Sequence, residues 1–287
     1  MTISNDCVVL IGTKGGPAIR PGSPMPSSNL LRLGGRTCVI DCGLGVTSGL
    51  VATGFELKDL ETIFISHLHS DHYLELGPLI HTAWTAGLKT PLMVYGPPGL
   101  DAYISAFLQS MKADIDLRIE DEGRTDLARL IGFTPIVEGP VIEDKNFRVE
   151  AARNHHPPLE DTFALKFETD AKRVIFSGDT APIDAMIDFA QGADLLVHEA
   201  MLTNGVEALA KRVGNGDDRL VRHLMASHSP AEEVGRLASK AGVRHLAVNH
   251  LIPCDDPDFT DPDWETAIRS TWSGRLTIGK DGLHIPV

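Results

Sequence analysis

No run of apolar residues in this sequence is long enough to cross a bilayer; a spanning helix needs about 18 or more in a row, so no membrane span is expected. No N-terminal segment joins a basic stretch to an apolar one, so no secretory leader is read there. Cysteine is scarce. Cys7, Cys38, Cys42 and Cys254 form no C-x-x-C pair and no pairing pattern. That argues against a disulfide scaffold and makes free thiols in a reducing, cytoplasmic compartment the expectation. Positive charge is in deficit. Lys and Arg number 26 against 39 Asp and Glu, a formal charge of −13. Such a balance argues against a surface built to neutralise phosphates, although one local basic patch is compatible with it. Internal repeats and low-complexity tracts are also missing.

The remaining composition is that of an ordinary enzyme. With 287 residues and 43% hydrophobic content, the chain can bury a sizeable core, and it is read as one domain over 1–287. Histidine stands out by its placement. Ile65-Ser-His-Leu-His-Ser-Asp-His-Tyr73 puts three imidazoles and a carboxylate within six residues, as H-x-H-x-D-H. Neutral imidazoles and a hard carboxylate without a thiolate suit a borderline divalent metal. The stretch Glu61 to Ser66 is β-branched and apolar and reads as a buried strand. If the backbone leaves it extended, His67 and His69 point the same way and can share one ion. Asp71 and His72 fall at the start of a helix, where neighbours diverge, placed for a second ion or the far side of the first.

H-x-H-x-D-H after a buried strand resembles the metallo-β-lactamase superfamily, and within it the branch of ribonuclease Z and the related metal-dependent arylsulfatases. The fold this implies is α/β, a four-layer αββα sandwich. Later segments extend the resemblance. Arg153-Asn-His-His156 closes a strand at 147–151, and only one of its two histidines is expected to reach a metal; His156, directly before the Pro157-Pro158 turn, fits the family pattern. Ser177-Gly-Asp179 ends another strand and matches the aspartate that bridges two ions. His250 ends a late strand as the last ligand does. His198-Glu-Ala-Met201 and Ser227-His-Ser-Pro230 are similar to the ribonuclease Z motifs His-Glu-Ala-Thr and His-Ser-Thr, each with its last residue changed. Asp41, at the end of the strand 37–41, resembles a residue that accepts a hydrogen bond from a ligand imidazole.

The resemblance implies two divalent ions: His67, His69, His156 and Asp179 around one, and Asp71, His72, Asp179 and His250 around the other. Zinc is the first expectation, with manganese and iron compatible with the same donors. A shared hydroxide would be the nucleophile. Asp71, Glu199 and His228 form the implied catalytic set, with Glu199 polarising His228 and His228 protonating the leaving oxygen. His81 and His245 are read as structural, and Cys42, beside the site, as core.

Several local elements are read from pattern alone. Residues 14–28 and 206–222 are polar loops that border the site either as lids or as surface excursions. Residues 101–111 read as a helix, and the rest of 101–150 as short strands and turns, with eleven acidic and six basic residues in that span. A hairpin around Asp281-Gly282 closes the chain. The region 101–150 carries no Gly/Pro-rich basic arm of the kind that grips tRNA in ribonuclease Z. The first functional expectation is therefore hydrolysis of a sulfate, phosphodiester, carboxyl ester or lactone in a small-molecule substrate. A tRNA 3′-end endonuclease is the alternative, and a non-catalytic binding protein on the same fold is the third. Nucleic acid is placed behind small molecules as partner, and the resemblance implies a homodimer.

Overall fold

The structure is a computed structural model that describes residues 6–214 and 216–287. Two seven-stranded mixed sheets face each other. The first carries β1 (Cys7–Gly12), β2 (Ser28–Leu33), β3 (Arg36–Cys42), β4 (Thr62–Phe64), β5 (Leu92–Gly96) and β6 (Ile131–Pro135). The second carries β7 (Gly139–Asp144), β8 (Phe147–Arg153), β9 (Phe163–Glu168), β10 (Arg173–Phe176), β11 (Leu195–Met201), β12 (His245–Ile252) and β13 (Arg275–Ile278). The last strand, β14 (Leu283–Pro286), returns to the edge of the first sheet beside β1.

Helices cover both outer faces. Over the first sheet lie α1 (Val46–Ala52), α2 (Ser70–Tyr73), α3 (Leu76–Thr85), α4 (Leu100–Ser110) and α5 (Lys112–Glu122). With the second sheet go α6 (Asp184–Phe189), α7 (Thr203–Val213), α8 (Arg219–Ser227), α9 (Ala231–Ala241) and α10 (Asp261–Arg269). The strands divide their side chains between layers with period two. Val8, Leu10, Leu31, Leu33 and Phe64 point between the sheets. Val9, Ile11, Leu30, Ile63 and Ile65 point out to the helices of the first layer. A third core, with Leu196, Val248, Leu237 and Trp264, joins the second sheet to α9 and α10. The αββα architecture is the one expected.

Three local expectations need correction. The chain from Leu276 to Ile285 is not a hairpin. β13 pairs in parallel with β12 in the second sheet, and β14 pairs antiparallel with β1 in the first. Asp281 sits at the crossing, where its carboxylate accepts from the Thr13 and Met25 amides. The turn chemistry was real, but it serves a change of sheet. Residues 112–122 form α5 rather than strands and turns. Only Ile115 of that helix is buried, so hydrophobic periodicity is faint. The helix is supported instead by pairs one turn apart, Lys112 with Asp116 and Arg118 with Asp114 and Glu122. Most of 206–222 is helical too, in α7 and α8, whose Val206, Leu209, Leu220 and Leu224 pack on Met201 and Ile252; Asn215 within that span lies outside the described residues. Among the described residues, no helix is long and apolar enough to cross a membrane.

Phe64 locks the two sheets together. Its ring stacks on Tyr95 at 4.9 Å and meets Phe167 edge-on at 5.1 Å. Phe64→Ala is expected to cost about 3–5 kcal/mol of stability by leaving a cavity between the sheets. Denaturant unfolding of the two proteins checks this; a loss below about 1 kcal/mol would mean that the layers collapse onto the gap.

Candidate functional site

The predicted residues gather at one rim of the sandwich, where the parallel strands of both sheets end. Beyond β4 the chain stays extended to His69, which has φ −86° and ψ 141°. His67 and His69 therefore point to the same side, and α2 then begins with Asp71 and His72. His67 Nε2 and His156 Nε2 lie 3.2 Å and 2.9 Å from His69 Nδ1. Asp179 Oδ2 lies 3.6 Å from His67 Nε2 and 3.9 Å from His156 Nε2. The same oxygen lies 3.3 Å from His72 Nε2 and 3.1 Å from His250 Nε2. Asp71 Oδ2 closes the second group, 3.3 Å from His250 Nε2 and 3.6 Å from His72 Nε2. His67, His69, His156 and Asp179 could hold one metal ion, and Asp71, His72 and His250 another.

Local backbone features aim these side chains. β11 and β12 pair Glu199 with Asn249 and Ala200 with Leu251, so His250 is the extra residue of a bulge. β2 and β3 pair Asn29 with Ile40 and Ser28 with Cys42, so Asp41 is the extra residue of a second. Both take positive φ, 44° at His250 and 62° at Asp41. These are uncommon conformations for residues with a Cβ, and the flanking ladders hold them. Gly178, φ 58°, brings the chain close before Asp179. A Cβ there would lie 2.6 Å from the Phe163 carbonyl and 3.1 Å from Asn154 Nδ2.

The outer nitrogens of His67, His72 and His156 are already engaged. His72 Nδ1 donates to Asp41 Oδ2 at 2.8 Å and His156 Nδ1 to the Ser227 carbonyl at 2.8 Å. Ser66 Oγ donates to Asp41 Oδ2 and lies 3.0 Å from His67 Nδ1, from which it can accept. At His67 and His156 these bonds put the proton on the outer nitrogen, so the Nε2 atoms turned inward carry lone pairs. His72 Nε2 and Asp179 Oδ1 are buried with no hydrogen-bond partner. Lone pairs about 3 Å apart repel unless a cation lies among them. Tetrahedral bonds of about 2.0–2.1 Å would put ligand atoms about 3.3 Å apart, close to the spacing found. The donor set fits divalent metal ions.

Burial and charge agree. Burial lowers the His67 imidazole well below its ordinary pKa and takes His156 down to about 4, which keeps both neutral. At His72 burial also lowers the pKa, but Asp179, Asp41 and Asp71 outweigh it and raise it well above the ordinary value. Burial alone would raise Asp179; the imidazoles of His250, His72 and His67 reverse this and hold it well below the carboxylate range. Three carboxylates thus call for positive charge in the second group.

A second constellation flanks the first. Glu199 Oε1 accepts from the Thr180 amide at 3.0 Å and the Ser229 amide at 3.2 Å, and lies 3.1 Å from His228 Nδ1. The His228 ring stacks on His250 at 5.3 Å. Burial pushes the Glu199 carboxyl up, opposed by the amide donors, and pushes His228 down. A cavity of about 350 Å³ opens in front, lined by His69, Asp71, Asp179, His228 and His250 on one side and Leu209, Val213, Leu220 and Leu224 on the other.

Other histidines lie elsewhere. His155 is outside both groups, and its amide donates to Thr180 Oγ1. His81 pairs with Asp114, and His245, at the start of β12, bonds Thr277 Oγ1. Cys42 faces the helix-side core, where burial raises its thiol pKa. Sequence reasoning passed over His223. On α8 its ring stands 6.0 Å from His69 and 6.1 Å from His156. Its helical spacing with Leu220 and Leu224 was the available signal, hidden by reading that span as a loop.

Comparison with known proteins agrees with this fold. The family model described as "Anti-Pycsar protein Apyc1" matches residues 9–250. A ribonuclease Z of Mycobacterium bovis is 30% identical over 280 residues, covering 96% of each chain. The metallo-β-lactamase fold protein YhfI of Bacillus subtilis superposes with a TM-score of 0.72 at 22% identity, covering 98% of this chain and 99% of its own. Zinc-bound PqqB of Methylobacterium extorquens superposes with a TM-score of 0.71 at 15% identity, covering 98% and 100%.

Two substitutions test the scaffold of the site without touching an inward-facing donor. Asp41→Asn removes the acceptor that orients His72 and should weaken metal affinity about 10–100-fold. Gly178→Ala should displace Asp179 and lower metal content as well. Competition with a chromogenic chelator measures both; unchanged affinity in both variants would mean that neither bond positions the cluster.

Proposed function

The chain belongs to the Anti-Pycsar Apyc1 family, within the ribonuclease Z-like branch of the metallo-β-lactamase superfamily, and on that premise we propose that it is a two-metal phosphodiesterase. Phosphodiester cleavage in RNA, placed second, is supported by relatives named ribonuclease Z at 30% identity. Sulfate, carboxyl-ester and lactone hydrolysis gain no such support. His67, His69, His156 and Asp179 are the residues proposed to hold the first ion; Asp71, His72, Asp179 and His250 are proposed for the second. Zinc is the first choice, in line with the zinc-bound neighbour. When bound, such a pair supplies an activated water at neutral pH and positive charge beside the attacked phosphorus.

The observation that carries this reading is the placement of Glu199 and His228 beside the convergent donors. Glu199 Oε1 accepts a hydrogen bond from His228 Nδ1–H, so the opposite nitrogen is turned to the cavity. There a doubly protonated His228 can give its Nε2 proton to the departing oxygen as general acid, and the Glu199 carboxylate favours that imidazolium by accepting from Nδ1–H. Asp71 Oδ2 accepts from the Gly16 amide at 2.8 Å, and the residue faces the same cavity.

A second reading keeps the chemistry and changes the substrate. The cavity is closed on one side by α7 and α8, and the chain carries a charge of −13. Both features favour a phosphodiester of nucleotide size over a long polyanion.

Incubation of the zinc-loaded protein with precursor tRNA at low salt, beside dinucleotides and bis(4-nitrophenyl) phosphate, separates the two. Clean cleavage at the tRNA 3′ end supports the first. Turnover of the small diesters alone supports the second, and no turnover of any sinks the phosphodiesterase. His228→Ala should lower kcat by about 10²–10⁴ with metal content intact. Asp179→Ala should lose metal and activity together. Metal loss on His228→Ala would reassign that residue from proton donor to ligand.

A further inference from the structure

Lys14 takes no part in the chemistry above, yet it lines the cavity and is only 4% exposed. Among the described residues its ammonium makes one hydrogen bond, to the Gly15 carbonyl at 3.0 Å. An ammonium carries three donors, and burying it without partners is costly. The nearest carboxylate, Asp255, stands 3.9 Å away, beyond hydrogen-bond reach. Asp255 is engaged elsewhere: Arg20 Nη1 holds its Oδ2 at 2.9 Å, and Arg212 Nη2 approaches its Oδ1 at 3.2 Å. Arg212 also reaches Asp256 at 3.6 Å. Lys14, Arg20 and Arg212 against Asp255 and Asp256 leave one positive charge in excess, in a chain whose overall charge is −13.

The lysine is also held in place. Its amide donates to the Met25 carbonyl at 2.9 Å, and the Gly15 amide to the Leu251 carbonyl at 3.1 Å. The Gly16 amide donates to Asp71 Oδ2 at 2.8 Å, which ties this segment to the second ligand group. A Cβ on Gly15 would lie 3.0 Å from the His250 ring. The backbone that bears the ammonium is therefore fixed against the residues proposed to hold metal.

We propose that Lys14 is a second anion-binding point of this cavity, taking a phosphate that the substrate carries beside the phosphodiester under attack. A compact ammonium with unused donors suits phosphate oxygens as a point charge. The apolar wall of Leu209, Val213, Leu220 and Leu224 leaves room for the uncharged part of the same molecule. The substrate class is then a short oligonucleotide bearing a terminal phosphomonoester. This inference rests on the phosphodiesterase reading for its substrate, but its test does not depend on turnover.

The test is calorimetric titration of the zinc-loaded His228→Ala protein with adenylyl-adenosine and with its 5′- and 3′-phosphorylated forms. One phosphorylated form should bind about tenfold or more tighter than the unphosphorylated dinucleotide, the scale of a charge-assisted bond. Lys14→Gln, introduced in the same background, should remove that preference. Acetylation of Lys14 in the wild-type chain, mapped by mass spectrometry, should be slowed by that phosphorylated form and not by adenylyl-adenosine, which reads occupancy without any substitution at Lys14. Equal binding of all three dinucleotides, a preference that survives Lys14→Gln, or acetylation indifferent to the phosphate would each overturn the proposal. If the phosphate preference holds while the wild-type protein cleaves no phosphodiester, the anion point stands and the phosphodiesterase reading falls.

Discussion

Mutual repulsion among buried donors is the constraint on which the rest of the structure depends. Nitrogen lone pairs of His67, His69 and His156 meet within 2.9–3.2 Å, and Asp179 faces both ligand groups from their shared edge. Left to themselves these groups would separate or take up protons. They are kept together because their outer atoms are tied to the scaffold. Asp41 holds His72 and Ser66, and the Ser227 carbonyl holds His156. The tie on His156 fixes its tautomer as well as its position, so its inward nitrogen keeps a lone pair for a cation.

The sandwich supplies what those ties require. Parallel strands in both sheets end at one rim, so donors far apart in sequence reach one point without long loops. The two bulges do work that a regular ladder cannot. In an unbroken β12 the residue after Asn249 would point to the opposite face of the sheet. The bulge turns His250 into the cluster at φ 44°, and its counterpart in the facing sheet turns Asp41 at φ 62°. Strain of order 1–3 kcal/mol per residue is typical of such positions. The paired strands on either side hold it, which is why it falls in buried ladders and not in exposed loops.

This division explains what could be read from the chain alone. H-x-H-x-D-H was legible because its spacing turns an extended segment into a helix start, a local property. Asp179 and His250 were legible through their positions at strand ends and their likeness to a family pattern. Their convergence, and the bulges that allow it, are relations between strands and leave no mark in a single segment. The misread segments have physical reasons too. α5 is held by ion pairs rather than an apolar stripe. α7 and α8 carry enough charge to resemble a solvated loop, because their apolar side packs on the small cluster around Met201 and Ile252. The Asp281-Gly282 turn carries hairpin chemistry, yet the strands beside it find partners in different sheets.

The same division bears on how substrate choice can vary while the chemistry stays constant. Donors for metal come from strand ends and α2, bound on every side by ladders and buried hydrogen bonds. The opposite side of the cavity comes from α7, α8 and the segment 14–16, and α7 and α8 join the second sheet chiefly through a small apolar cluster. A residue such as His223 or Lys14 can therefore change without disturbing Asp179, whereas a change at Asp41 cannot. On the proposed mechanism, phosphodiesters of different size would need the same activated water and the same proton from His228. They would differ only in what lies beyond the leaving oxygen, the part that α7, α8 and Lys14 are proposed to meet. One cation in excess of its partners there, in a chain with thirteen more acids than bases, has more influence on which anion enters than the same cation would have on a basic surface, where its charge would be one among many.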